Sequence, residues 1–262
     1  MRFVSAQPHA ALTGIVSRYV DFEDRPGAPV TMHESPGRSL VVIVDLDHGW
    51  TVEGDRFGSF AGGLYAHPVT VRHEGTSRAV QFDLEPLAAR ALLGVPAGEL
   101  GHRTVDLTDL LGPGAAHLAE RLHDAPDPAA RFAVLDHELR RRTAQAPHTR
   151  PDVTRAWALL RASHGRLRID ALARELGCSR RHLAKRFKEE VGVSPKTAAR
   201  LIRFESARHR LGTVPLARLA ADLGYADQAH LTREFTELGG APPTAFPHLQ
   251  DAAPRPPVPS AP

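Results

Sequence analysis

Two short stretches of this chain carry residue types and spacings suited to reading the edges of nucleic-acid bases. The first holds Arg180, Arg181, Ala184, Lys185 and Lys188; the second holds Gln228, Ala229, Thr232 and Arg233. Arginine can bond guanine through two parallel N–H groups, and glutamine can pair with adenine in the same way. Alanine and threonine methyls can touch the thymine methyl, while lysine meets phosphate as a point charge. On a helix these side chains face outward if Leu183 and Phe187, or Leu231 and Phe235, spaced i and i+4, face inward. The acids Glu189, Glu190 and Glu237 then fall near the C-terminal ends, away from the turn that reads bases. The competing interpretation is a helical repeat that binds protein, its charges merely solvated.

These stretches sit in an internal repeat. Ile169-Asp170-Ala171-Leu172-Ala173-Arg174-Glu175-Leu176-Gly177 recurs 47 residues later as Leu216-Ala217-Arg218-Leu219-Ala220-Ala221-Asp222-Leu223-Gly224. One extra residue then moves the register to 48, and His182-Leu183, Phe187, Gly192 and Pro195 are matched by His230-Leu231, Phe235, Gly240 and Pro243. Each copy has the makings of a helix, a turn and a second helix. Leu172, Ala173 and Leu176 (Leu219, Ala220 and Leu223) form one buried face. Gly177 and Gly224 stand just past the first helix, where a left-handed residue is needed. Ser179 and Asp227 are placed to cap the second helix by accepting its free N–H groups.

Charge is unevenly distributed. The whole chain of 262 residues carries a formal +3, but residues 1–150 hold 15 basic against 19 acidic residues, and residues 151–248 hold 17 against 10. All three lysines lie in the basic part, and the remaining thirty basic residues are arginines. A near-neutral, slightly acidic half joined to a basic half suggests a control module joined to a polyanion binder.

The basic segment, roughly 152–248, resembles the two-unit DNA-binding domain of the AraC/XylS family of transcription regulators. The first unit carries Leu172-Ala173-x-x-Leu176-Gly177-x-Ser179, then Leu183 and Phe187, then Gly192-Val193-Ser194-Pro195. The stretch Leu201 to Leu211 is similar to the family's linker helix. The second unit, Ala220-x-x-Leu223-Gly224-Tyr225-x-x-Gln228-x-His230-Leu231-x-Arg233-x-Phe235, carries the family's most specific signature, closed by Gly240-Ala241-Pro242-Pro243. Ala198 and Phe246 stand where the family usually has Tyr, and Pro247 where an Arg often follows. The resemblance implies a sequence-specific regulator whose helices 179–190 and 227–238 enter two successive major grooves of double-stranded DNA. Arg200, Arg203, Arg208 and Arg210, on or near the linker helix, are within reach of phosphate in such a complex, with a buried ion pair as the alternative for Arg203. The resemblance also brings RNA polymerase, a small-molecule effector and a second copy of the chain (a homodimer) into view as partners.

The expected fold is multi-domain. Residues 1–145 form an α+β regulatory, sensing or dimerisation domain, a small β-rich, cupin-like barrel or sheet with helices. Residues 152–248 form an all-α domain with two helix-turn-helix units, and 253–262, half proline, form a disordered tail. Strand signals run from 38 to 84: Arg38–Leu46 is a β-branched run, Trp50–Glu53 and Val69–Arg72 alternate, and Ser77–Leu84 follows. Helical patterns start at Pro86 and recur over roughly 114–123 and 128–143. The stripe Phe132, Leu135 and Leu139 suits the module's own core better than a dimer seam. Ala144–Pro151 reads as the linker. The next helix, Asp152 to about Ser163, buries Val153, Trp157 and Leu160.

Other chemistries find little support. The chain has no Gly-Lys pair for a phosphate loop and lacks the G-x-S-x-G, H-E-x-x-H and G-x-G-x-x-G patterns. The rival reading is a DNA-associated enzyme, with residues 1–145 catalytic or with Cys178, the only cysteine and near Arg180 and Arg181, as an alkyl acceptor; for Cys178 a packing residue is favoured. Among fifteen histidines, His67 and His73 are six apart on a strand pattern, and His33 adjoins Glu34, but the spacing of a metal site is missing. No metal and no cofactor is expected, and with no signal peptide or spanning segment the expectation is a cytoplasmic protein without a membrane partner.

Overall fold

The computed structural model describes residues 2–25, 28–144 and 150–246. Most of the linker read at 144–151, the tail at 253–262 and Pro247 therefore lie outside the described residues.

Ten strands among the described residues build two antiparallel sheets: β1 (Arg2–Ala6), β2 (Val16–Asp24), β3 (Val30–Glu34), β4 (Leu40–Asp45), β5 (Trp50–Val52), β6 (Asp55–Phe57), β7 (Phe60–Gly62), β8 (Val69–His73), β9 (Ser77–Leu84) and β10 (Thr104–Asp106). The larger sheet has the order β1-β2-β9-β4-β7-β10, the smaller β3-β8-β5-β6. The larger sheet is a middle layer. Along β4, Leu40, Val42 and Val44 join the core shared with the helices, while Ile43 joins Phe22, Trp50 and Phe60 in a second core beneath the smaller sheet. Side chains of a strand alternate between faces, so a strand covered on both faces is apolar throughout. That is why 40–44 shows no alternation.

The strand signals at 40–45, 50–52, 69–73 and 77–84 correspond to strands, but β1, β2 and β3 lie before the expected stretch. β2 was masked by its charges. Arg18, Asp21 and Asp24 are all buried, and each has a partner: Asp83 at 2.7 Å, Arg131 at 2.8 Å and His73 at 3.5 Å respectively.

The helices are α1 (Ala89–Leu93), α2 (Ala97–Leu100), α3 (Leu107–Leu111), α4 (Pro113–Asp124), α5 (Pro128–Thr143), α6 (Pro151–Ala162), α7 (Ile169–Glu175), α8 (Arg180–Val191), α9 (Pro195–Arg210), α10 (Leu216–Asp222) and α11 (Gln228–Gly239). Pro86 opens a 3-10 turn that leads into α1, which ends at Gly94 in the left-handed region. In α5, Phe132, Leu135 and Leu139 are buried in the module's core. Val153, Trp157 and Leu160 of α6 are buried as well, and the Trp157 indole N–H donates to Glu85 at 3.0 Å.

α4 and α5 are stapled by a buried carboxylate. Glu138 accepts from Arg141 and Arg142 on its own helix, both at 2.8 Å, and meets Arg121 of α4 at 3.7 Å. Burial pushes this carboxyl up, but the hydrogen bonds and charges of Arg141 and Arg142 outweigh it and hold the pKa at about 2, against an ordinary 4.5. A carboxyl lowered by folding adds stability above its unfolded pKa and loses it as pH falls toward the folded value. Glu138 should therefore contribute on the order of 2–3 kcal/mol at pH 6, lost between about pH 4.5 and 2. Urea unfolding of the Glu138→Gln variant at stepped pH should show a correspondingly shallower acid loss than the parent chain; identical pH slopes would refute the assignment.

Candidate nucleic-acid interface

Each half of the sequence repeat folds as two helices joined by a tight turn, α7–α8 and α10–α11. The turn glycines Gly177 and Gly224 have φ of +64° and +72°. Their role is conformational, because a side chain would strain that backbone. Ser179 Oγ accepts from the His182 N–H at 3.2 Å, and the Asp227 carboxylate from the His230 N–H at 2.6 Å, each capping a twelve-residue helix. Leu183 and Phe187, like Leu231 and Phe235, are buried. The inward half of both patterns is thus as the sequence indicated.

The outward half is open. Arg180, Arg181, Lys185, Lys188, Gln228, Ala229 and Arg233 are exposed, while Ala184 and Thr232 are half-buried on the flank of their helices. Arg180 makes a surface pair with Asp170 at 2.9 Å, an interaction that water and salt weaken and that a phosphate or base can replace. Lys188 differs from the other residues of its group. It lies on the last turn of α8, where its carbonyl accepts from the Gly192 N–H at 3.0 Å. The acids at the C-terminal ends are engaged elsewhere: Glu189 with Arg150 at 3.2 Å, Glu190 with Arg90 at 3.3 Å, and Glu237 with Arg200 at 2.7 Å. The carboxylates at the C-terminal ends are thus drawn away from the first turns, and the one at the head of α11, Asp227, caps the helix.

α9 links the units. Ala198, Leu201, Ile202, Phe204 and Ala207 are buried along it, and Phe204 packs on Phe235 with ring centres 4.7 Å apart. Three arginines proposed as phosphate contacts have other work. Arg203 donates to the buried Glu234 of α11 through Nε and Nη2, one edge of its guanidinium, at 3.0–3.2 Å and lies 4.6 Å from the centre of the Tyr225 ring. Arg200 pairs with Glu234 at 3.0 Å as well as Glu237. Burial works against the charge of Arg200, but these carboxylates outweigh it and raise its pKa. Arg210 meets Asp222 of α10 at 2.5 Å. The physical reason is position: Arg200 and Arg203 lie beside the buried Glu234 of α11, and Arg210 beside the half-exposed Asp222 of α10. Phe246, where the family usually has Tyr, closes the same core, edge-on to Phe204 and Phe235.

Cys178 is half-buried against the core at the α7–α8 turn, and its backbone N–H donates to Ala173 at 3.0 Å. The histidines of the strand region do not gather. His67 is exposed, whereas His73 is buried edge-on to Trp50 with Nε2 3.5 Å from Asp24. Burial lowers the His73 pKa, against the pull of Asp24 and of the Gly75 backbone. Among the described residues no group of three or more His, Cys, Asp or Glu could hold a metal ion, and no helix is long and apolar enough to cross a membrane.

A second concavity lies between the two sheets. This cavity of about 150 Å3 is lined by Phe22, Ile43, Trp50, Phe60 and Val71, with Arg18, Glu34, Gln81 and Thr104 among its polar groups.

Residues 172–248 match the model of a helix-turn-helix domain family. The C-terminal region is an AraC-type helix-turn-helix domain. With it, the chain is a DNA-binding transcription regulator. No curated protein matches the sequence. Among solved structures, ToxT from Vibrio cholerae has the same overall fold, at 10% identity and a TM-score of 0.51 over 95% of this chain and 99% of that one. The C-terminal domain of AraT, a response regulator from Geobacillus stearothermophilus, is 25% identical over 39% of this chain and 88% of its own, with a TM-score of 0.37. The AraC-like transcriptional activator CuxR is 17% identical over 78% of this chain and 86% of its own, with a TM-score of 0.31.

Glu234 is the buried carboxylate that ties the second unit to α9, beside the more exposed Glu237 and Asp222. Glu234→Ala leaves two guanidinium groups facing a vacancy and should cost about 3 kcal/mol. Chemical denaturation should show this loss, and a change under ~1 kcal/mol would mean the Arg200–Arg203–Glu234 group is a bystander.

Proposed function

We propose that the AraC-type domain reads two successive major grooves of one duplex, α8 in one and α11 in the next. Arg180, Arg181, Ala184, Gln228, Ala229, Thr232 and Arg233 face bases, and Lys185 and Lys188 face phosphate. One observation carries this reading: both helices have bare, cationic or amide-bearing first turns while their rear faces and C-terminal ends are buried. Helix-turn-helix proteins read bases with the N-terminal part of the second helix. The sixteen residues of α9 span roughly 24 Å, a strut suited to units that must sit one helical turn of DNA apart, about 34 Å.

The domain division at 1–145 and 152–248 follows from the same reading. The N-terminal domain is the effector side, and its cavity between the sheets is its ligand site. An apolar cavity near 150 Å3 accommodates a molecule of about one ring. The small-molecule effector is therefore mostly apolar, with a polar end to meet Arg18, Glu34, Gln81 or Thr104. A homodimer and contacts with RNA polymerase belong to this reading as further partners, as does a cytoplasmic location.

Selection from a random duplex pool with the full chain should return two half-sites about 10 base pairs apart. On the selected site, Arg181→Ala and Arg233→Ala should each cost about 1–3 kcal/mol and relax the preference at one base position. Equal losses on random DNA would place these side chains on phosphate instead. With about six phosphates neutralised, affinity should fall with salt at a log–log slope near −5. A slope near zero would speak against DNA as the partner.

A further inference from the structure

Both reading helices end against the N-terminal domain, α8 backbone to backbone and α11 against a proline ring. α8 stops at Gly192, with φ +92°, and a Cβ there would lie 2.9 Å from the carbonyl oxygen of Ala97 in α2. From the other side, a Cβ on Gly98 would fall onto the carbonyl oxygen of Glu189 and lie 2.7 Å from that of Lys188. The last turn of α8 and α2 therefore touch main chain to main chain. Arg90 closes the contact on Glu190, which is itself 6% exposed, and Arg150 meets the same carboxylate at 3.6 Å. α11 stops at Gly240, with φ +78°, and a Cβ there would lie 3.1 Å from Cγ of Pro68.

Pro68 and Gly98 belong to one wall. Pro68 immediately precedes β8. The segment before it is bound to the end of α2: Gly63 N–H donates to the Arg103 carbonyl at 2.9 Å, and a Cβ on Gly63 would fall onto the Gly101 carbonyl. The His102 ring nitrogen Nδ1 lies 2.6 Å from the Leu64 carbonyl, and the Tyr65 and Thr104 hydroxyls are 2.8 Å apart. The two points that meet the readers are thus cross-linked by short polar contacts within the N-terminal domain.

We propose that the N-terminal domain is a spacing template: Gly98 and Pro68 are positioning residues that fix the separation and phase of α8 and α11, and hence which half-site spacing the chain accepts. This rests on the reading of α8 and α11 as twin base readers. Within the domain the units are joined by α9, with its ion pairs to Glu234 and Asp222, and by Arg166, which donates to the Asp222 carbonyl at 3.3 Å. The two supports at the helix ends add fixed points outside the domain. Binding of the second half-site then becomes an intramolecular step whose strength depends on how well the held geometry matches the DNA. The supports lie at the C-terminal ends, so they hold the readers without covering the turns that meet bases. Gly63, Tyr65 and Val69 also line the cavity between the sheets, so a molecule seated there bears on the same wall.

Gly98 makes a clean test. It lies in the short helix α2 without a positive φ, so alanine there suits the helix better than glycine, and the harm falls on the contact with α8. The full chain would be titrated by fluorescence anisotropy against its selected two-half-site duplex, the same duplex with one base pair added or removed between half-sites, and a duplex with one half-site. The parent chain should lose about tenfold or more for a one-base-pair change. Gly98→Ala should bind the single half-site as the parent does, lose about tenfold on the matched pair, and discriminate spacings by less than about threefold. Circular dichroism and thermal unfolding report whether the variant is folded. If it is not, Arg90→Met, which loosens the same contact without adding atoms to it, decides in its place with a smaller change in the same direction. An unchanged spacing preference overturns the proposal, and tighter binding to every duplex would make the contact inhibitory, which overturns it too. If the parent chain itself gains nothing from a second half-site, the twin-reader reading fails instead.

Discussion

A helix of about twelve residues that carries cations and acids along most of its length does not hold its shape alone in water. α8 and α11 are such helices, and a base reader has the further demand that its first turn be bare. Support must therefore come from the rear and from the far end. Leu183 and Phe187, with Leu231 and Phe235, supply the rear; the left-handed glycines and the cap residues Ser179 and Asp227 set the entry angle. The far ends rest on the N-terminal domain. The other contacts between the halves surround this arrangement.

Buried carboxylates organise those contacts. Glu85, 3% exposed, accepts from Trp157 and faces Arg161 at 3.3 Å and Arg38 at 3.9 Å, and Arg38 reaches on to Glu205 of α9 at 3.6 Å. Glu190 joins α8 to Arg90, and within the C-terminal half Glu234 likewise joins α11 to Arg200 and Arg203. Such pairs add little net stability over a well-packed apolar contact, yet breaking one leaves a charge stranded in low dielectric. Their effect is to make one arrangement of the parts much better than its neighbours. A planar guanidinium fork suits this work more than a lysine does, and in this chain arginine supplies nearly all the basic charge. The even scatter of those arginines along the sequence hides two populations: those at the first turns of the readers face solvent, and those on α9, α1 and α6 face acids of another element.

The helix-turn-helix pair was legible because everything that defines it is local. The repeat at a register of 47 and then 48, the glycine after each first helix, the cap residue before each second one and the i, i+4 anchors all lie within a few turns of one another. Helices α4, α5 and α6 were legible for the same reason. β2 was not: Arg18, Asp21 and Asp24 look like surface residues until Asp83, Arg131 and His73 are placed beside them by strands and a helix far along the chain. His67 and His73 share a strand parity that promises one face, but His67 stands two residues before the paired strand begins, so the alternation does not reach it.

By itself, then, the sequence determined the twin units, their caps, their buried anchors and the side chains they present, since helix periodicity and turn chemistry act over a few residues. Only the tertiary structure decided which arginines are free to meet a polyanion and which are spent on Glu234, Glu190 and Glu85. It alone also decided that α2 and Pro68 touch the ends of the readers, because a close approach between distant segments leaves no trace in residue type beyond a glycine. Burial and approach are properties of the assembled surface, summed over segments a hundred residues apart, and no local pattern encodes them.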